Sequence, residues 1–102
     1  MSNYTFTNND GIKYKIFRKR PHYSYNADGL CDPPEYRGPK ILVSPDLPPK
    51  REMAVMIEEI FHAFFWDVSE TKVRRFCSTL TNILHKDGWR QTVVEEHFEK
   101  DK

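Results

Sequence analysis

The segment Met53–Trp66, MAVMIEEIFHAFFW, constrains this chain more than any other. It is long enough for a helix and apolar nearly all the way round, interrupted by Glu58, Glu59 and His62. At about 100° per residue, Met53, Met56, Ile57, Ile60 and Phe64 share one broad face. Glu58 and His62, one helical turn apart, fall on the opposite side, flanked by Val55, Phe65 and Trp66. A helix that is apolar all round is normally enclosed all round. Carboxylates and an imidazole inside it are costly unless they are paired, bonded to a metal or open to a cleft. That conflict marks where function is to be sought.

The sequence before this helix reads as strands and turns. Tyr4–Thr7 and Ile12–Arg18 are two strands joined by the turn residues Asn8-Asn9-Asp10-Gly11, with Ile12, Tyr14 and Ile16 alternating against Lys13 and Lys15. From Pro21 to Gly38 the chain reads as loop, with a short strand at Tyr23–Tyr25. Lys40–Ser44, bounded by Pro39 and Pro45, reads as a short buried strand, and Pro48-Pro49 suits the first turn of the helix. After Trp66, Asp67 or Ser69 can cap a second helix. Its apolar stripe is Val73, Phe76, Cys77, Leu80, Ile83 and Leu84, and Gly88 stops it. Extended backwards, that stripe reaches Glu70, which therefore points toward the interior occupied by the first helix. The order predicts an α+β fold, a small sheet followed by two packed helices. Residues 91–102 read as a charged C-terminal tail.

Composition narrows the function classes. A chain of 102 residues is one domain's worth, and its net charge of +1 argues against wholesale binding of nucleic acid or membrane. The first half is nevertheless basic, with a cluster at Lys13, Lys15, Arg18, Lys19 and Arg20. Interleaved with Tyr14, Tyr23 and Tyr25, this cluster supports a minor reading as a nucleic-acid-binding module; a solvated strand face is the simpler one. No apolar run approaches the roughly 20 residues that span a bilayer, and the N-terminus lacks the features of a signal peptide. Two cysteines, Cys31 and Cys77, do not make a disulfide framework, so a reducing cytoplasm is the expected setting.

The run Glu58-Glu59-Ile60-Phe61-His62 is one substitution from HExxH, which sets two imidazoles on one helix face to bind zinc with the intervening glutamate as general base. A third ligand commonly comes from an acid on the following helix, and Glu70 has the right helix and the right face. Glu58, His62 and Glu70 are thus the candidate metal ligands, and Glu59 is the catalytic base if the site is active. A metal-free reading stands beside this one, in which Glu58 and His62 form a hydrogen-bonded pair. Glu59 and His62 also have the spacing used in di-iron carboxylate bundles, which need a second such motif that this chain lacks. His22, His85 and His97 read as structural or solvated, and Phe65 and Trp66 as packing residues or a wall beside the cleft.

Residues 29–90 resemble small phage-encoded proteins of the zincin-like metallopeptidase type. The resemblance is carried by Gly29-Leu30-Cys31-Asp32-Pro33-Pro34, KILVSPDLPPKREM, EEIFHAFFWDVSE and Gly88-Trp89-Arg90. It implies a minimal zincin-like domain over residues 1–90, a short mixed sheet followed by an active-site helix and a second helix. It implies Glu59 in the place of the catalytic base and His62 in that of the second zinc-ligand histidine. Glu58 stands where the first ligand histidine belongs, and Glu70 matches an acidic position beyond the helix. Ligation by two carboxylates and one imidazole is less selective for zinc and makes a weaker Lewis acid. The expectation is a degenerate zincin-like phage protein, with zinc or no cofactor, that binds a phage or host protein rather than hydrolysing it. The alternative is an active or weakly active metal-dependent peptidase. Binding would use the cleft or an exposed strand edge near Lys40–Ser44, in the host cytoplasm or on the virion.

Overall fold

A computed structural model describes residues 4–92. It opens on the expected hairpin, in which β1 (Tyr4–Thr7) runs antiparallel to β2 (Lys13–Arg18) with Phe6 opposite Tyr14. Gly11 supplies the positive φ of 80° that the turn requires. Asn8 holds the turn from inside: its Oδ1 accepts from the Asp10 and Ile12 backbone N–H groups, both at 2.9 Å. Its Nδ2 donates to the Ala63 carbonyl at 3.0 Å, so the same buried side chain ties the hairpin to the first helix.

A second hairpin pairs β3 (Gly29–Cys31) with β4 (Lys40–Val43), and β4 lies parallel to β2. The sheet is therefore mixed and four-stranded, in the order β1-β2-β4-β3. Asp32 closes the second hairpin, its Oδ2 accepting from the Lys40 backbone N–H at 3.0 Å and from Nζ at 3.1 Å. The Tyr14 hydroxyl donates to the Asp32 carbonyl at 3.0 Å and stitches the two hairpins together. Two expectations are corrected here. Tyr23–Tyr25 is a single 3-10 turn, and the strand of this region is Gly29–Cys31. Lys40–Val43 is also an interior strand, paired on both sides with Ile41 and Val43 fully buried, so it offers no free edge; among the described residues β1 and β3 are the edge strands.

The helices α1 (Pro49–Phe64) and α2 (Glu70–Lys86) pack on each other, and α1 covers β3 and β4. Ser69 is the residue that caps α2, accepting from the Lys72 N–H at 3.3 Å. At the other end Gly88 takes φ 98°, while Gly88 and Trp89 donate to the carbonyls of His85 and Leu84, the paired closure that a C-terminal glycine permits. The deepest stripe of α1 is Val55, Glu59 and Ala63; Met53, Met56, Ile60 and Phe64 are only half-buried and line a groove beside β1 and β2. The rotation follows from placement, since α1 sits over β3 and β4, and among the described residues no second element covers β1 and β2 on that side. The stripe of α2 is turned as well. Val73, Cys77 and Thr81 are buried, whereas Phe76 and Ile83 are 52% and 59% exposed. Phe76 packs on Phe61 of α1 with the rings tilted by 44° and 5.3 Å apart, which places it at the rim of the helix pair.

Candidate metal and binding site

The last two turns of α1 and the first turn of α2 meet across the short 65–69 connection. The Val68 N–H donates to the Phe65 carbonyl there, and Ser69 starts α2 so that its first residue, Glu70, faces back on α1. The outcome is a convergence of the three residues singled out by spacing. One donor atom each from Glu58, His62 and Glu70 lies within 4.8 Å of the other two. His62 Nε2 is 3.2 Å from Glu70 Oε1, and Arg74 Nε approaches the other Glu70 oxygen at 3.6 Å. His62 thus reaches across to Glu70 of α2, and not back to Glu58 as the spacing within one helix suggested. Among the described residues Glu58 has no ion-pair partner.

Glu59 points elsewhere. It is buried against β3, where a Cβ added to Gly29 would stand 2.9 Å from Glu59 Oε2 and 2.5 Å from Val55 Cγ1. The glycine is what lets the strand settle onto the helix at this point. Burial first, then the charges of Glu58 and Glu70, push the Glu59 carboxyl up to about 8, with Arg51 opposing them. The same acids act on their neighbours. Burial pushes Cys31 up to about 12, assisted by Glu59, and Cys77 to about 11, assisted by all three glutamates. Both cysteines are free, buried thiols.

Two carboxylates, Glu58 and Glu70, flank one imidazole at this end of the helix pair. A zinc ion bound at about 2.0–2.2 Å holds tetrahedral donors roughly 3.4 Å apart, so side-chain rotations of about an ångström would close the set. One nitrogen and two oxygens suit a divalent cation, and the half-open position of the cluster gives access. Trp66 stands beside His62, ring centroids 6.4 Å apart, and Phe65 and Trp66 are exposed, so they form a rim to the cluster rather than core.

The other polar candidates are dispersed. His22 accepts from the Ser24 N–H and stacks on Tyr23; His85 lies at the end of α2, its pKa lowered by desolvation, Arg90 and Lys50; His97 lies outside the described residues. The basic cluster is divided between the two faces of the sheet. Lys13 and Lys15 face away from the helices, whereas Arg18 turns to their side and pairs with Glu52 at 3.3 Å. Tyr14 is wholly buried and offers no stacking surface. Sequence reasoning missed the role of Gly29 and β3 beside Glu59. The signal was present only as a Gly-Leu-Cys triplet after a turn. Among the described residues no helix is long and apolar enough to cross a membrane. Compared with family models, with functionally described proteins and with solved structures, the chain matches none.

Proposed function

We propose that this chain is a zincin-like protein, of the small phage-encoded type that its helix resembles, which binds an extended protein segment without cleaving it. The observation that supports this reading is the convergence of Glu58, His62 and Glu70 within 4.8 Å at the end of a helix whose Glu59 lies against an edge strand. Glu58 and Glu70 supply two anionic oxygens and His62 one imidazole nitrogen, a set that fits a divalent cation and leaves Glu58 otherwise without an ion-pair partner among the described residues. Zinc held there would supply Lewis acidity, blunted by the second carboxylate.

The chain's own residues divide the work of binding. β3 pairs with β4 on one side, so its other edge carries backbone groups able to add an extended segment of a phage or host protein. Gly29 keeps β3 close to α1, so a segment added there passes beside Glu59. Phe65 and Trp66 offer apolar contact at the far end of the cluster. Such a protein would act in the host cytoplasm or travel with the virion.

Metal analysis of the native protein tests the first half of this reading. About one equivalent of zinc or another divalent ion is expected, lost in His62→Ala; a metal-free protein that also fails to take up added zinc overturns it. A library of extended peptides, followed by backbone NMR shifts at Gly29–Cys31, tests the second half. The peptidase alternative would use Glu59 as its base: the residue adjoins Glu58 in the chain, and burial pushes its carboxyl up to about 8. Chelator-sensitive cleavage of those peptides, abolished by Glu59→Gln, would establish the alternative in place of the binding reading.

A further inference from the structure

Among the described residues an apolar groove of about 640 Å³ lies between β1, β2 and α1. Phe6 and Ile16 line it from the sheet, and Met53, Met56, Ile60 and Phe64 from the helix. Surfaces of this size and apolarity on a small domain normally have an occupant. The segment following α2 supplies the third wall, through Trp89, Arg90 and Gln91.

We propose that the occupant is the chain's own C-terminal segment, residues 93–102, entering from Gln91 with Val93, Val94 and Phe98 as its apolar anchors. The point of departure is the first argument. Gln91 is part of the groove wall, so Val93 follows only two residues after it. At about 3.3–3.6 Å per residue, the seven residues from Gln91 to Phe98 reach roughly 23 Å when extended, enough to carry Phe98 along the groove. Charge is the second. Among the described residues the groove wall carries Arg90 and the paired Arg18 and Glu52, and the segment brings Glu95 and Glu96 between its apolar anchors. The third argument is concentration. A segment tethered at the groove mouth meets it at an effective concentration in the millimolar range, which a second copy or a separate protein must match from solution. The segment would complete the apolar core on the side that α1 does not cover.

The test uses the full chain with its methionine methyl groups isotopically labelled, so that Met53 and Met56 report on the groove. The expected result is nuclear Overhauser contact from the Phe98 ring to the Met56 methyl in a monomer, lost in Val94→Asp, together with displaced Met53 and Met56 signals. Light scattering and a sample of mixed labelled and unlabelled copies accompany it. Contact seen only between differently labelled copies, with a dimer mass, would assign the groove to a second copy and overturn the proposal. Methionine signals that neither Val94→Asp nor Phe98→Asp moves, with no contact from Phe98, would overturn it in favour of an outside partner or an open groove.

Discussion

The two sides of α1 are made from similar residues and meet opposite circumstances. On one side Val55, Glu59 and Ala63 are pressed against β3 and β4, with a glycine admitting the strand so closely that a Cβ would collide with Val55. On the other, Met53, Met56, Ile60 and Phe64 look across a groove at β1 and β2. The first side is closed and contains a carboxyl; the second is open and almost wholly apolar. Burial of a polar group at the crowded side, where apolar residues would pack at least as well, is what makes Glu59 a candidate site residue. The flexible methionines on the open side suit a surface that receives a side chain from elsewhere.

The contrast can be broken from the closed side first. Gly29→Val should cost about 3 kcal/mol or more in denaturant unfolding, because its Cβ falls at 2.5 Å from Val55 Cγ1 and forces β3 from the helix. Asn8→Ala is the next largest, at roughly 2 kcal/mol, since it removes the link to Ala63 and leaves the turn N–H groups of Asp10 and Ile12 without their acceptor. Cys31 gives a pH signature of the same side. Its folded pKa of about 12 lies above the ordinary thiol value of 9.0, so the folded state keeps a proton that the unfolded chain releases. Stability contributed by the neutral thiol is complete below pH 9 and falls as pH rises toward 12. Cys31→Ala should reduce that alkaline loss, seen as a smaller fall in Tm between pH 8 and 10. The open side should respond least: Met53→Ala should cost below about 1 kcal/mol, because its side chain is only half-buried.

Much of this arrangement was legible in the sequence, and the gaps have physical causes. The helices, the first hairpin and the buried strand at Lys40–Val43 were readable because periodicity and turn chemistry are local. β3 was not, since three residues that include a glycine become a strand only by pairing with β4, which lies ten or more residues further on. The burial of β4 was readable, but its interior position was hidden for the same reason: its partner β2 precedes it by a long connection, and the resemblance suggested a binding edge there. Thr81 replaced Phe76 and Ile83 in the buried stripe of α2 because the crossing with α1 selects the line 73-77-81. At the site, the spacing of Glu58, Glu59 and His62 was readable, and so was the turning of Glu70 toward the first helix, although Glu70 stays exposed at the rim and does not enter the interior. That His62 meets Glu70 before Glu58, and that Glu59 turns away toward Gly29, depends on how two helices and a strand come together.

The parallel register of β2 with β4 also has a bearing on how the molecule assembles. Ile16 pairs with Ile41 and Arg18 with Val43, contacts that close a loop of some twenty-five residues at the centre of the sheet. Both hairpins and the helix pair rest on neighbours closer in the chain, and each can form before that loop shuts. Joining such distant segments carries the larger entropic barrier and slows folding. Docking of the two hairpins along β2 and β4 is therefore the expected late and rate-limiting event, and Tyr14, which reaches from one hairpin to the Asp32 carbonyl of the other, sits at the seam where it occurs.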